Sequence, residues 1–177
     1  GKGKALYNLV ENKTIPSMIF WGGPGTGKTT LAKIIAQKSN MNFRSLSAVS
    51  SGLADIRKIS DEVIFQRSTS SKKTILFLDE IHRFSKSQQD SLLPLIEEGI
   101  LILIGATTEH PGFSIINPLI SRVKIFKFNP HNEESINIIL NKTIRNKEEF
   151  FSDSDIIIEE DVIKILSKGC GGDARKA

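Results

Sequence analysis

The sequence has little cysteine, few aromatic residues and no long hydrophobic run. Only one of its 177 residues is cysteine, and aromatic side chains make up 7% of the chain. A single cysteine excludes a disulfide within the chain and any zinc site built from several thiolates. The longest apolar run, at 100–106, is far shorter than the roughly 18–20 residues of a membrane-spanning helix. We therefore expect no association with a membrane.

The rest of the composition is that of a globular domain. Hydrophobic residues make up 39% of the chain and charged residues 25%, which excludes a mainly disordered, collagen-like or coiled-coil protein. The net charge is +4, and the positive excess lies before residue 129. Such a surface suits a polyanionic partner, although an ordinary solvated surface can have the same excess of basic residues. The lone cysteine favours a reducing compartment, the bacterial cytoplasm or the eukaryotic nucleus.

Apolar runs of strand length alternate with segments of helical periodicity. The predicted strands are 17–21, 43–46, 74–78, 100–106 and 123–128, and the predicted helices between them are 28–37, 53–66 and 85–98. Pro94 is expected to bend the last of these helices or to lie near its end. The runs 74–78, 100–106 and 123–128 do not alternate with polar residues, which is typical of strands buried on both faces. The order predicts an α/β fold with a parallel sheet and helices on both faces.

The pattern changes after Asn129. Two helices are predicted there, at 133–145 and 159–168, and no strand is as clear as the earlier ones, although 156–158 is a short strand candidate. We therefore divide the chain into a core at 1–128 and a smaller helical part at 129–177. Because the first residue is Gly1 and not methionine, we expect the chain to be a piece of a longer protein.

A glycine-rich segment between the first strand and the first helix matches the pattern G-x-x-x-x-G-K-[ST]. Its glycines allow successive backbone N–H groups to point at phosphate oxygens, and the helix that follows adds its partial positive charge. Lys28 is expected to contact the β- and γ-phosphates of ATP, and the Thr29 hydroxyl to bind Mg²⁺. The candidate nucleotide-binding residues are Gly22, Gly23, Pro24, Gly25, Thr26, Gly27, Lys28, Thr29 and Thr30.

Two acids follow the predicted strand 74–78. A carboxylate at the carboxyl end of a parallel strand faces the ligand crevice of an α/β sheet. Asp79 is thus a candidate Mg²⁺ ligand, directly or through water. Glu80 is placed to polarise an attacking water as a general base. An acidic loop after a strand is common, and it is the preceding phosphate-binding motif that favours this interpretation.

Long stretches of the chain resemble the AAA+ ATPases of the clamp-loader clade. Within that clade the closest resemblance is to the RarA/MgsA/WRNIP1 family of DNA-dependent ATPases. The stretches are IPSMIFWGGPGTGKTTLAKIIA (15–36), ILFLDEIHRFSKSQQDSLLPLIEEG (75–99), ILIGATTEHPGF (102–113), PLISRV (118–123) and GGDARKA (171–177). DEIHR is shared with Holliday-junction motors, whereas FSKSQQDSLLP and GATTEHPGF select the family. Gly23 stands where the family usually has proline, and it removes no ligand.

The resemblance implies roles for three more residues. Thr108 matches the sensor-1 position near the γ-phosphate, with Thr107 as the alternative at this register. Arg122 matches the arginine finger, which acts on the nucleotide of a neighbouring subunit. Arg175 matches sensor 2 in the helical lid. The ordinary alternatives are a threonine that ends a strand, a surface arginine and an arginine at the start of a helix.

The resemblance also implies the fold and the function. It implies a P-loop NTPase core of the AAA+ type at 1–128 and a truncated helical lid at 129–177. The implied function is ATP hydrolysis by a DNA-dependent ATPase in replication and repair at stalled forks. Its partners would be single-stranded DNA ends or forks, replication-fork proteins and further copies of itself. The alternatives are a clamp-loader subunit, a branch-migration motor and an ATP-binding scaffold without turnover. His82, between the acids and the next helix, is expected to orient a loop, and acid/base chemistry is the alternative.

Overall fold

The computed structural model describes residues 5–11, 14–145 and 160–177. The strand candidate at 156–158 and the first residue of the predicted helix 159–168 lie outside the described residues. The chain divides into two compact units, one of residues 1–21 and 28–127 and the other of residues 22–27 and 128–177. The glycine-rich loop thus groups with the second unit. The division into a core and a lid at 128/129 stays a prediction. No helix in the described ranges has the length and apolarity to cross a membrane.

Strands and helices alternate along the first unit, and helices follow in the second. The strands are β1 Met18–Gly22, β2 Asn42–Ser47, β3 Thr74–Asp79, β4 Ile102–Thr107 and β5 Lys124–Phe128. The helices are α1 Ala5–Glu11, α2 Lys28–Lys38, α3 Leu53–Thr69, α4 Lys86–Asp90, α5 Leu93–Glu97, α6 Pro111–Ser114, α7 Asn117–Ile120, α8 Glu133–Arg145 and α9 Glu160–Gly169. A single 3₁₀ turn, Ile81–Arg83, follows β3.

The strands form one sheet in the order β2-β3-β4-β1-β5. Strands β2, β3, β4 and β1 pair in parallel, with Leu78 opposite Gly105 and Trp21 opposite Thr107. Because parallel strands run in one direction, their carboxyl ends lie along the same edge of the sheet. The predicted α/β fold with a parallel sheet is confirmed.

Alternate residues of the central strands are buried on opposite faces of the sheet. One face carries Ile19, Leu76, Leu78 and Leu103, in a single apolar cluster with Ile56, Ile59 and Val63 of α3 and with Leu92 and Leu95. The residues between them, Met18, Phe20, Ile75, Phe77 and Ile104, are also fully buried. Helix α2 contacts β2, β3 and β4 and buries Ala32, Ile35 and Ala36. Burial on both faces explains why the strand sequences do not alternate.

The predicted helix 85–98 is two short helices, α4 and α5, interrupted at Ser91 and Leu92. Pro94 lies in the first turn of α5. A proline lacks the N–H that an interior turn needs, but the first turn of a helix leaves its N–H groups unbonded. Proline therefore marks where α5 begins rather than where one long helix bends.

The prediction that 123–128 is buried on both faces is wrong. Strand β5 is at the edge of the sheet, and Lys124, Ile125 and Lys127 are exposed. Its backbone pairs with β1 through the N–H of Lys124 and the carbonyl of Ser17, 3.0 Å apart. Lysines on an edge strand discourage pairing with another sheet. Apolar content alone did not distinguish an edge strand from a central one.

Candidate functional site

In the second unit, the glycine-rich loop needs glycine at position 25 for two reasons. Gly25 has a φ of +63°, in the left-handed region that residues with a side chain rarely adopt. A Cβ atom there would lie 1.6 Å from Asp173 Oδ1 and 2.8 Å from the backbone nitrogen of Ala174. That nitrogen donates a hydrogen bond to the Gly25 carbonyl, at 3.3 Å. The loop and the segment 173–174 are therefore in direct backbone contact.

Arg175 is held by the same segment. Its backbone N–H donates to Asp173 Oδ1 at 2.9 Å, and its Nε lies 3.4 Å from the same oxygen. The backbone hydrogen bond is the main cause that lowers the pKa of Asp173 below its ordinary value, and the side-chain bond and positive charge of Arg175 act in the same direction. The Arg175 side chain remains 68% exposed. Its sensor-2 role stays a prediction.

In the first unit, helix α2 begins with the candidate phosphate and metal ligands. Lys28 is half-buried at its first position, and Thr29 and Thr30 follow as exposed residues. The first turn contains no acidic side chain. The partial positive charge of the helix N-terminus is thus not neutralised within the turn, which favours an anion there.

The acidic pair lies at the end of β3. Asp79 is the last residue of the strand, and its Oδ1 accepts a hydrogen bond from the Glu80 N–H at 3.1 Å. Glu80 has a φ of 53° and a ψ of 43°, a left-handed conformation that is strained for glutamate. Ile81 is fully buried in the apolar cluster. The turn is therefore fixed by the burial of Ile81 and by the hydrogen bond between the Glu80 N–H and the Asp79 carboxylate.

The two threonines at the end of β4 differ in environment. Thr107 is the last strand residue and is fully buried. Its hydroxyl donates to the Glu109 carbonyl at 3.3 Å, accepts from the Glu109 N–H at 3.0 Å and lies 3.0 Å from His82 Nδ1. Thr108 is exposed, and its Oγ1 lies 3.5 Å from Glu80 Oε2. Thr108 is thus the threonine beside the candidate general base, whereas the sensor-1 role itself stays a prediction.

Two polar side chains, His82 and Gln89, make contacts that the sequence did not predict. His82 lies between Glu80 and Thr107, with Nδ1 3.2 Å from Glu80 Oε2. Gln89 is buried in α4, where its Nε2 donates to the carbonyls of Phe84 and Ser114, at 3.1 and 3.0 Å. Its Oε1 accepts from the Ile116 N–H at 3.0 Å. Gln89 thereby fixes the segment that leads into α7.

Arg122, the candidate finger, follows α7 and bonds to its own chain. Its Nε forms an ion pair with Glu97. Its Nη1 donates to the Pro118 carbonyl at 2.7 Å and to Ser121 Oγ at 3.1 Å. The side chain is 40% exposed. A role at the nucleotide of another subunit would require Arg122 to exchange the Glu97 carboxylate for a phosphate.

The candidate metal ligands are hard oxygen donors, the hydroxyl of Thr29 and the carboxylate of Asp79. Within the ranges that the structure describes, no group of three or more histidine, cysteine, aspartate or glutamate side chains forms a metal cage. A sparse set of oxygen ligands suits Mg²⁺, which keeps several waters and binds through one or two carboxylates together with substrate phosphates. The residues present therefore fit the predicted ion.

Known proteins resemble the chain in sequence and in fold. The model of the ATPase family associated with various cellular activities (AAA) matches residues 18–131. The chain is 44% identical over its whole length to replication-associated recombination protein A of Haemophilus influenzae, of which it covers 40%. It is 48% identical over 97% of its length to ATPase WRNIP1 of Dictyostelium discoideum, of which it covers 19%.

A solved structure shares the fold. The RuvB Holliday junction branch migration motor of Thermotoga maritima matches 97% of the chain with a TM-score of 0.72 and 25% identity, and the match covers 55% of that protein. The chain thus spans less than two thirds of each of these relatives. The matches with RuvB and with the AAA family confirm the P-loop fold expected from the sequence.

The contact between the loop and the segment 173–174 leads to a prediction for the substitution Gly25→Ala. The added Cβ meets Asp173 and Ala174, and alanine disfavours the left-handed backbone, so we expect a loss of about 1–3 kcal/mol of stability and weaker nucleotide binding. Gly169→Ala, in the same unit and outside the loop, is the matched control, because a Cβ there meets nothing within 4 Å. Thermal unfolding and calorimetric titration with an ATP analogue measure both effects. Equal behaviour of the two variants would contradict the contact.

Proposed function

This chain belongs to the ATPase family associated with various cellular activities, and from that premise we propose that it is the ATP-hydrolysing module of a DNA-dependent ATPase that acts in replication and repair at stalled forks. The observation that supports ATP hydrolysis is the position of the Glu80 carboxylate. Glu80 follows Asp79, the last residue of β3, and its carboxylate lies beside Thr108 at the end of β4. A carboxylate for the metal ion, a carboxylate for the water and a hydroxyl beside it are groups that promote hydrolysis of a phosphoanhydride.

The proposed roles follow from the chemistry of each side chain. Lys28 and the N-terminus of α2 attract the β- and γ-phosphates of ATP. Thr29 and Asp79 would hold Mg²⁺, which when bound neutralises charge on the phosphate oxygens. Glu80 accepts a proton from the attacking water. Its Oε2 faces both His82 and Thr108, so the water meets the carboxylate through Oε1.

The relatives support an action on DNA. The names replication-associated recombination protein A and RuvB Holliday junction branch migration motor describe proteins of DNA replication and recombination. By this analogy the full-length protein binds single-stranded DNA ends or forks, works with replication-fork proteins and assembles from identical subunits. Its site of action is then the bacterial cytoplasm or the eukaryotic nucleus.

One alternative is a branch-migration motor, favoured by the structural match with RuvB. The sequence match is lower there, 25% against 44% for the recombination protein, so the recombination protein is the better guide. A clamp-loader subunit is a second alternative within the same fold. The third alternative is a scaffold that binds ATP without turnover. Lys28, Asp79, Glu80 and Arg122 are all present, and loss of one of them would be expected of a scaffold.

The general-base assignment is tested by two substitutions with different outcomes. Lys28→Ala should abolish tight Mg-ATP binding, because the charge that meets the phosphates is lost. Glu80→Gln should retain binding and stop turnover, because only proton acceptance is lost. Calorimetry and phosphate release measure the two steps, with Glu98→Gln, an exposed glutamate at the end of α5, as the control. Wild-type turnover by Glu80→Gln would disprove the assignment.

The action on DNA is tested by phosphate release with and without single-stranded DNA ends. We expect stimulation, because binding of the polyanion would favour the hydrolysis-competent arrangement of subunits. Blunt duplex DNA at an equal concentration of phosphate is the control for charge alone. Equal rates with and without DNA would contradict a DNA-dependent ATPase, and ATP binding without any turnover would favour the scaffold.

An arginine finger that acts on a second subunit predicts behaviour that depends on assembly. In the full-length oligomer Arg122→Ala should lower turnover by about 10³–10⁵-fold and leave ATP binding nearly intact. For this chain alone we expect slow turnover that the same substitution hardly changes, because no neighbouring nucleotide is present. Arg57→Ala, on an exposed face of α3, is the control.

Mixing the full-length variants Arg122→Ala and Lys28→Ala tests the finger directly. Each variant supplies the group that the other lacks at a shared interface, so the mixture should regain activity. No recovery, when mixed oligomers are shown to form, would assign Arg122 a structural role.

A further inference from the structure

The imidazole of His82 is buried among oxygen atoms at the carboxyl edge of the sheet. Its side chain is 5% exposed, and Nδ1 lies 3.2 Å from Glu80 Oε2 and 3.0 Å from Thr107 Oγ1. The other ring nitrogen, Nε2, lies 3.7 Å from Glu109 Oε1. All four residues belong to the first compact unit. A buried polar ring in such a place must have its hydrogen bonds satisfied by these neighbours.

The surrounding groups determine which ring nitrogen carries a proton. Thr107 donates its only hydroxyl proton to the Glu109 carbonyl, so it acts towards His82 as an acceptor. An ionised Glu80 carboxylate also only accepts. Two acceptors next to Nδ1 favour a proton on that nitrogen. The tautomer with a proton on Nδ1 fits both contacts of the ring, the hydrogen bond with Thr107 Oγ1 at 3.0 Å and the approach to Glu80 Oε2 at 3.2 Å.

We propose that His82 is a positioning residue for the Glu80 carboxylate. The proposal rests on the proposed role of Glu80 as the general base. Glutamate has three side-chain torsions, and a free carboxylate would sample several directions. The Nδ1–H of His82 fixes Oε2, and this leaves Oε1 directed to the water. The ring can do this because the backbone between Glu80 and His82 is itself fixed by the buried Ile81.

The same contacts join Glu80 to the end of β4. His82 bonds to Thr107, and the next residue, Thr108, lies 3.5 Å from Glu80 Oε2. Side-chain contacts therefore join Glu80 to His82, His82 to Thr107, and Thr108 to Glu80, and Thr107 and Thr108 are neighbours along the chain. His82 sets the separation between the turn after β3 and the end of β4.

Kinetics of three variants test the positioning role. His82→Ala should lower kcat for ATP by about 10–100-fold, as is common when a group that orients a functional side chain is lost, with little change in KM. His82→Asn should recover part of kcat, because its amide N–H lies near the place of Nδ1. His131→Ala, a histidine of the second unit, is the control. Wild-type kcat in His82→Ala would overturn the proposal, as would His82→Asn with no recovery at equal thermal stability.

Nitrogen NMR of the imidazole rings in the wild-type protein gives a test that needs no turnover. We expect Nδ1 of His82 to be protonated and its resonance to move in Glu80→Gln. His110 is an internal reference, because its Nδ1 accepts a hydrogen bond from the Gly112 N–H at 3.2 Å. An unprotonated Nδ1 in His82 would overturn the proposal. If the wild-type protein does not hydrolyse ATP, the proposed function fails, and the NMR result still decides the contact between His82 and Glu80.

Discussion

The site depends on the contact between Ile81 and the middle of strand β4. A Cβ atom at Gly105 would lie 3.0 Å from Ile81 Cδ1 and 2.6 Å from Ile19 Cδ1, so the absence of a side chain at Gly105 makes room for both isoleucines. Because Ile81 fits there, the turn after β3 lies against the sheet, and Glu80 and His82 on either side of it are directed to the carboxyl edge. The parallel register, with Leu78 opposite Gly105, brings Asp79, Thr107 and the following Thr108 to that same edge.

Local motifs made part of this arrangement predictable. The phosphate-binding loop and the pair Asp79–Glu80 are recognisable because their chemistry depends on residues that are adjacent in sequence. The sheet class followed from the alternation of strands and helices, but the edge position of β5 depends on strand order, which no local pattern encodes. The contacts of His82 and Gln89 depend on register and on which loop each side chain reaches. The choice between Thr107 and Thr108 depends on where β4 ends, and sequence boundaries leave this open by a residue.

The ion pair of Arg122 with Glu97 is compatible with a mobile role. Their side chains are 40% and 47% exposed, and a pair so open to solvent contributes about 0–1 kcal/mol. A terminal phosphate carries more negative charge than one carboxylate and offers several oxygens to a guanidinium. Exchange of Glu97 for a phosphate therefore costs little. While Arg122 is paired with Glu97, its contacts with Pro118 and Ser121 keep the side chain near the end of α7.

The strained backbone at Glu80 is a consequence of the same geometry. A left-handed glutamate costs about 1–3 kcal/mol, and glycine would avoid the cost but would remove the carboxylate. The strained conformation is retained because three contacts hold the turn in place. The Asp79 carboxylate accepts the Glu80 N–H, Ile81 is buried beneath the turn, and His82 bonds to Thr107 of β4. Loss of any one of these contacts would allow the turn to relax, and the Glu80 carboxylate would then leave the edge of the sheet.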